Sequence, residues 1–371
     1  MNNDLLGIIY TLRSEPALSE LVANRNSASL PFCGRYRLID FTLSSLVNAG
    51  VREVDVIMER DYQSLLDHLS GGKDWNLARR SGGLRLLPPF GLPESHSGTF
   101  NGCMEALQSV RSVIQSITQD NVVLTTGDFA ANIDLAAVQA QHIASGAEIT
   151  AVCTRTDTPY PHHRLIPDAD GFSTHLVFSN GGPGEGVAVT EMYIMKKELL
   201  LQLMEYCADG AKAHFHRDAL THFVQIGGKV GVYVHEGYFR RITSVIDYFQ
   251  ASMETLRPDV MNNLFPADRP VRTKERAEVS TYYSETAVVK NSLIADGCYI
   301  EGEVEDCVLF RGVRVAKGAK LKNCIIMQDA VVESDANLRC VIADKNALIS
   351  QSCLLAGNER LPVVVRKGMH V

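Results

Sequence analysis

The stretch Gly34-Arg35-Tyr36-Arg37-Leu38-Ile39-Asp40-Phe41-Thr42-Leu43-Ser44-Ser45-Leu46-Val47-Asn48-Ala49-Gly50 decides how this chain is read. It begins as a loop and turns into an amphipathic helix. Ile39, Leu43, Leu46 and Val47 recur at spacings of three and four, and Gly50 stands where a left-handed residue ends a helix. Before it, Leu5-Leu6-Gly7-Ile8-Ile9-Tyr10 is a short apolar run, the pattern of a strand buried on both faces. After it, Val54 to Met58 reads as a second strand and Ser64 to Leu69 as the start of another helix. Strands alternating with helices in this way argue for an α/β domain.

The rest of the composition sets bounds. With 371 residues, 46% hydrophobic and 21% charged, the chain is ordinary for a soluble protein and long enough for two domains. A formal charge of −7 argues against a general nucleic-acid or anionic-membrane binder. No apolar run reaches the roughly 18 residues of a spanning helix, and Met1-Asn2-Asn3-Asp4 lacks the basic start of a signal peptide. Nine cysteines without a C-x-x-C pair fit reduced thiols in a cytoplasm. His162-His163 and His214-Phe215-His216 lack partners at ligand spacing and read as solvated loop histidines, not metal ligands.

A nucleotide-binding α/β domain normally follows its first strand with a glycine-rich loop, whose backbone N–H groups close on phosphates beside a basic residue. Here the loop is Thr11-Leu12-Arg13-Ser14-Glu15-Pro16-Ala17-Leu18, without a glycine. Val122 to Asp128 reads as a buried strand ending in Gly-Asp, and ligands gather at the carboxyl ends of such strands. Asp128 is therefore a candidate oxygen ligand for Mg²⁺; the competing reading is an aspartate that caps the helix following Asp134. Residues 257–280, with Pro258, Pro266 and Pro270 among mixed charges, read as an interdomain linker.

Beyond the linker the chain repeats. Ser292-Leu293-Ile294, Cys307-Val308-Leu309, Cys324-Ile325-Ile326 and Cys340-Val341-Ile342 recur at separations of 15, 17 and 16 residues. Between them Val304, Leu309, Val315, Leu321, Ile326, Val332 and Leu338 fall five or six apart. Hexapeptide spacing of this kind is the signature of a parallel β-helix, with the cysteines as a small-residue ladder inside its coils. A solenoid with an open face and an end coil is expected to associate.

The 34–50 stretch closely resembles bacterial glucose-1-phosphate adenylyltransferases, the ADP-glucose pyrophosphorylases, where G-[KR]-[YF]-R-[IL]-I-D-F-x-L-S-N follows the nucleotide loop. The resemblance runs through the chain in order. Asn24 to Phe32 matches N-R-A-K-P-A-V-x-F, keeping Arg25 and placing Ser27 where the family lysine stands. Phe100 to Leu107 takes the place of the nucleotide-contacting Y-R-G-T-A-D-A-V, keeping Gly102 and Ala106, with Cys103 and Glu105 for the Thr and Asp. In the family the aspartate at position 128 holds the catalytic magnesium. Phe178 to Pro183 stands near F-x-E-K-P without either charge, and Glu191 replaces the glycine of the strand S-M-G-I-Y-V-F. Tyr238 to Phe249 matches Y-W-R-D-V-G-T-L-E-A-Y-W, and Arg241 replaces the aspartate that is the second magnesium ligand.

The resemblance implies a Rossmann-like, GT-A-like nucleotidyltransferase domain with a mixed, mostly parallel sheet over residues 1–256. A linker, 257–280, and a left-handed parallel β-helix, 281–371, follow. It also implies a role in glycogen biosynthesis as the modulatory, poorly active or inactive subunit of the adenylyltransferase. That subunit type joins a GlgC-type catalytic subunit in a mixed tetramer in the cytoplasm. No catalytic set is intact: Asp128 is retained, while Ser27 and Arg241 mark degenerate positions. Arg25, Gly102 and Asp128 are vestigial nucleotide-binding candidates, and magnesium binding is expected to be weak or absent. Unit charges about 4 Å apart interact by roughly 4 kcal/mol at an effective dielectric near 20, so exchanging −1 for +1 beside a dication turns attraction into repulsion. Glu191 would obstruct a phosphosugar by bulk and by like charge.

Two other readings remain open at this point. The chain could be a working adenylyltransferase making ADP-glucose and pyrophosphate from ATP and glucose 1-phosphate, with Asp128, Arg13 and Arg25 in a rebuilt site. An acyltransferase, common among hexapeptide β-helices, would need a histidine at a coil corner, and residues 285–355 contain none. Whether the degenerate pocket still admits ATP or a sugar phosphate, and whether Arg35 and Arg37 serve an effector site, stays open too.

Overall fold

The computed structural model describes residues 4–11, 16–59, 61–80, 82–88, 100–157, 160–208 and 212–371. The N-terminal part is built on one ten-stranded sheet. Its strands are β1 (Leu5–Thr11), β2 (Glu53–Met58), β3 (Gly83–Leu87), β4 (Asn121–Thr126), β5 (Ile149–Thr154), β6 (His162–Leu165), β7 (Phe172–Ser173), β8 (Leu176–Ser179), β9 (Val187–Lys196) and β10 (Val230–His235). They lie in the order β7-β10-β5-β9-β4-β1-β2-β3, with β6 paired to β9 and β8 to β6. The half β4-β1-β2-β3 is parallel, while β9 runs antiparallel to both neighbours. All seven residues of β1 are buried, as a strand covered on both faces requires.

The deciding stretch forms helix α1 (Leu38–Asn48), ended by Gly50 at φ +87°. Asp40 opens it by accepting the Arg37 backbone N–H at 2.9 Å, and its other oxygen meets His68 Nε2 at 2.6 Å on helix α2 (Gln63–Leu69). Ile39, Leu43 and Leu46 face the sheet beneath, while Leu38 and Phe41 join a second core.

That second core joins the two halves of the chain. Leu30, Phe32, Leu38 and Phe41 meet Tyr248, Phe249 and Leu264, and then Val308, Phe310, Ile325 and Ile342 of the C-terminal part. The C-terminal part is a parallel β-helix of three five-stranded sheets. One sheet row, Leu293, Val308, Ile325, Ile342 and Val364, lies against the first domain. Cys307 and Cys324 stack within the coils, with the Cys324 N–H 3.3 Å from Cys307 Sγ.

The segment expected as a linker carries more structure than its prolines suggest. Residues 257–280 open with a helix, Pro258–Leu264, whose Val260 and Leu264 are buried in the joining core. Proline at its first position loses nothing, because that N–H has no helical partner anyway. The rest of this segment is fastened at both ends. Asn48 Nδ2 donates to Pro270 O (3.1 Å), the Arg272 N–H to Ser44 Oγ (2.9 Å), and Arg276 pairs with Asp329 at 3.2 Å.

Candidate functional site

The site lies at the carboxyl end of β4, where Gly127 and Asp128 leave the sheet. Only a glycine fits there easily: a Cβ at Gly127 would stand 3.1 Å from the Ala28 Cβ and 3.2 Å from Ile39 Cγ1. Asp128 Oδ1 accepts the Thr126 hydroxyl at 2.5 Å, and Oδ2 accepts Arg241 Nε at 3.1 Å. Arg241 is held in place because Arg240-Arg241 pairs antiparallel with Phe129-Ala130, and the Ile242 N–H donates to Asp128 O. Asp128 thus does not cap the next helix, Leu135–Ser145; Asp134 does, accepting the Ala137 N–H at 3.0 Å.

The guanidinium has a second carboxylate. Arg241 Nη1 donates to Glu191, whose other oxygen accepts the Tyr10 hydroxyl at 2.8 Å. Glu191 sits on a bulge of β9 with φ +63°, a conformation that glycine adopts freely and a glutamate adopts at a cost of order 1 kcal/mol. Burial alone would raise the Glu191 pKa. Arg241 overcomes it, helped by His216 and the Tyr10 hydrogen bond, and brings the carboxyl down to about 2. Arg241 itself is raised, burial being outweighed by Asp128 and Glu191.

The histidines are not solvated loop residues. His163 and His216 pack with ring centres 4.4 Å apart, and His216 Nδ1 lies 3.9 Å from Glu191. Burial, with His216 adjacent, lowers His163 to about 4, so it is neutral at physiological pH. One signal could have placed them: Glu191 is a carboxylate without a sequence-local partner.

The remaining candidates lie elsewhere. Arg25 is 5% exposed and spends its Nη2 on Asp344 of the β-helix, 319 residues away. Ser27 is buried in a short turn of helix, Ser27–Ser29, that Asn26 caps through the Ser29 N–H at 3.1 Å. Gly102 precedes a seven-residue helix, and a Cβ there would come within 2.3 Å of Ala213 O, so close packing demands this glycine. Leu12, Arg13, Ser14 and Glu15 of the glycine-free loop lie outside the described residues.

The residues present do not fit a magnesium ion. Both Asp128 oxygens are engaged, and the second ligand position carries a cation that bridges the two carboxylates. Among the described residues no group of three or more His, Cys, Asp or Glu has metal-binding geometry.

A second polar concentration lies between the domains. Arg35, Arg37, Lys274, Arg276, Arg311 and Lys345 line a cleft of about 200 Å³, with His68 and Glu275. Arg37 Nη1 donates to Ser64 O at 2.6 Å, and Arg35 reaches Asp296 at 3.5 Å. Arg311 is 4% exposed, and its Nε and Nη2, like Nη1 of nearby Arg25, are buried without a hydrogen-bond partner among the described residues. Burial, with Arg37 and Arg25 close by, lowers Lys345 to about 7.

A mixed, mostly parallel sheet with an acidic strand end, joined to a β-helix, places the chain in the nucleotidyltransferase class. Comparison with known proteins agrees: residues 18–163 match a nucleotidyl transferase family, and 277–360 match the GlmU-like, C-terminal hexapeptide family. The glycogen biosynthesis protein GlgD of Bacillus subtilis (strain 168) is 35% identical over 99% of this chain and 97% of its own length. GlgD of Geobacillus stearothermophilus gives the same figures. The glucose-1-phosphate adenylyltransferase of Desulfitobacterium hafniense (strain Y51) is 27% identical over 92% of this chain and 86% of its own length. The chain belongs to the GlgD family of glycogen biosynthesis proteins, related to the glucose-1-phosphate adenylyltransferases. Among the described residues no helix is long and apolar enough to cross a membrane.

Proposed function

We propose that this chain acts in cytoplasmic glycogen biosynthesis as a modulatory subunit that joins a GlgC-type catalytic subunit in a mixed tetramer and makes little or no ADP-glucose itself. One observation carries the reading: the Arg241 guanidinium bridges Asp128 and Glu191, filling with a fixed cation the place where nucleotidyl transfer needs a mobile one. Transfer of this kind depends on positioning and charge neutralisation, and each lost contact commonly costs a hundredfold or more. The competing reading of an active adenylyltransferase would need Arg25 at the phosphates, and Arg25 is engaged with Asp344. The basic cleft supports a modulatory role, because an anion held there would touch both domains and favour one arrangement of them over another.

The test is ADP-glucose synthesis by three samples: this chain, the catalytic partner, and the two mixed. Silence alone, with a raised rate or substrate affinity in the mixture, is the expected outcome. Turnover by the isolated chain would overturn the proposal. Arg241→Asp alone is expected to stay inactive, since Ser27 and Glu191 remain.

A further inference from the structure

Two lysines line the interdomain cleft, and they are held differently. Lys274 spends its Nζ on the carbonyl oxygen of Asp67, beside Ser70 Oγ. Lys345 is anchored through its backbone instead. Its N–H donates to Asp344 Oδ1 at 2.7 Å, and the other oxygen of Asp344 holds Arg25. The Lys345 Nζ itself has no hydrogen-bond partner among the described residues.

The surroundings of that amine are short of negative charge. Arg37 and Arg25 of the first domain and Lys367 of the β-helix act on it, against one carboxylate, Asp344, that Arg25 already occupies. His68, which burial keeps neutral at physiological pH, borders the same side, and Glu275 is the one acid among the cleft's lining residues. Burial, with Arg25 adjacent, pulls even the Arg37 guanidinium down to about 10, despite Asp40. Arg25 Nη1 and two nitrogens of Arg311 are buried without a partner among the described residues. Buried donors nearly always have an acceptor, so this group of cations is missing one.

We infer that Lys345 is a carbamylation site: dissolved CO2 adds to its amine, and the carbamate so formed is the anion that the surrounding guanidinium groups lack. The Nζ lone pair bonds to the carbon of CO2, one C=O electron pair moves onto oxygen, and a proton leaves Nζ for water. A neutral amine becomes an anion with two acceptor oxygens, and no oxidant or reductant is required. The addition needs an unprotonated amine, and burial, then Arg37 and Arg25, lowers Lys345 to about 7. An exposed lysine, protonated until pH 10 or so, does not meet that condition. It also needs access for a small uncharged reactant, and Lys345 stands half-buried on the wall of a cleft of about 200 Å³. The carbamate would join the two domains, because the lysine belongs to the β-helix and Arg25 and Arg37 to the first domain. The inference stands independently of the modulatory reading.

The test equilibrates the full chain with carbon-13-labelled CO2, traps carbamates by O-ethylation with triethyloxonium, and locates the added mass by peptide mass spectrometry. Lys345 is expected to carry the label, and Lys317 and Lys320, exposed on the β-helix, to carry none. At one fixed CO2 concentration the label should be at least about tenfold greater at pH 8 than at pH 6, since raising the pH frees the amine and draws off the proton. Arg37→Met leaves the lysine in place and removes a cation beside it, so labelling at Lys345 should fall about tenfold. A melting curve of that variant shows whether it is folded, and the wild-type site map and pH series decide the matter if it is not. Three results would overturn the inference: no trapped mass on Lys345 at pH 8, equal labelling of Lys345, Lys317 and Lys320, or labelling that a folded Arg37→Met variant leaves unchanged. Bicarbonate merely held in the cleft gives the first of these, because it forms no bond to Nζ.

Discussion

The strand-end pocket and the interdomain cleft both concentrate charged groups and treat them in opposite ways. In the pocket each ion has its counter-ion: Arg241 lies between Asp128 and Glu191, and Tyr10 completes the glutamate. In the cleft six cations gather around Glu275, and among the described residues Arg311 keeps two guanidinium nitrogens unpartnered. Buried polar groups are nearly always hydrogen-bonded, so an exception marks either strain or a missing partner. The pocket has internalised its partner and closed. The cleft, even with Arg35 and Arg276 paired to Asp296 and Asp329, keeps an excess of cations, and it is the one that can respond to an anion from outside.

The sharpest way to break the contrast is to remove the internal cation. Arg241→Met leaves two carboxylates facing each other and should cost about 3 kcal/mol, seen as a lower midpoint in denaturant. Adding Glu191→Gly relieves both the repulsion and the left-handed backbone, so the double variant should lose less than Arg241→Met alone. Equal losses would mean that the two side chains do not depend on each other.

The cleft makes a smaller, conditional prediction. Sulfate at ten times its dissociation constant should stabilise the protein by about 1.4 kcal/mol. Sulfate keeps its charge across the pH range, whereas Lys345, lowered to about 7, is an ammonium at pH 6 and largely neutral at pH 8.5. The melting shift should therefore shrink as pH rises through 7, and Lys345→Gln should flatten that dependence. A shift that ignores both would assign the effect to general salting, not to the cleft.

The smallest effect is the acid limb. Glu191 falls from an ordinary 4.5 to about 2 in the fold, so its stabilisation is complete above pH 4.5 and disappears as pH drops toward 2. Glu191→Gln should cost about 1 kcal/mol near neutrality and remove that part of the acid dependence.

Sequence periodicity made the β-helix and helix α1 legible, because a solenoid repeats its local rule and an amphipathic helix carries its own period. The family resemblance also exposed the charge reversal at Arg241 and the carboxylate at Glu191. That the two answer each other was not legible, since they are 50 residues apart and meet only through the sheet order. The pairing of Arg25 was hidden for the same reason: its partner, Asp344, lies at the far end of the chain. The helix at Pro258–Leu264 carries a local start signal, proline followed by aspartate, but three prolines within one segment of mixed charge are equally the composition of a linker.

The joining core has a consequence for how the protein is made. Leu30, Phe32 and Phe41 emerge from the ribosome early, while Val308, Phe310, Ile325 and Ile342, which cover them, arrive roughly 300 residues later at about 5–20 residues per second. For at least about 15 seconds the nascent first domain carries an apolar face with nothing to close it. The fastened segment at 270–276 shortens what remains of that search. Bonded to helix α1 through Asn48 and Ser44, it sets the first coil beside the waiting face, so the last step of synthesis is a short docking rather than a long diffusive hunt.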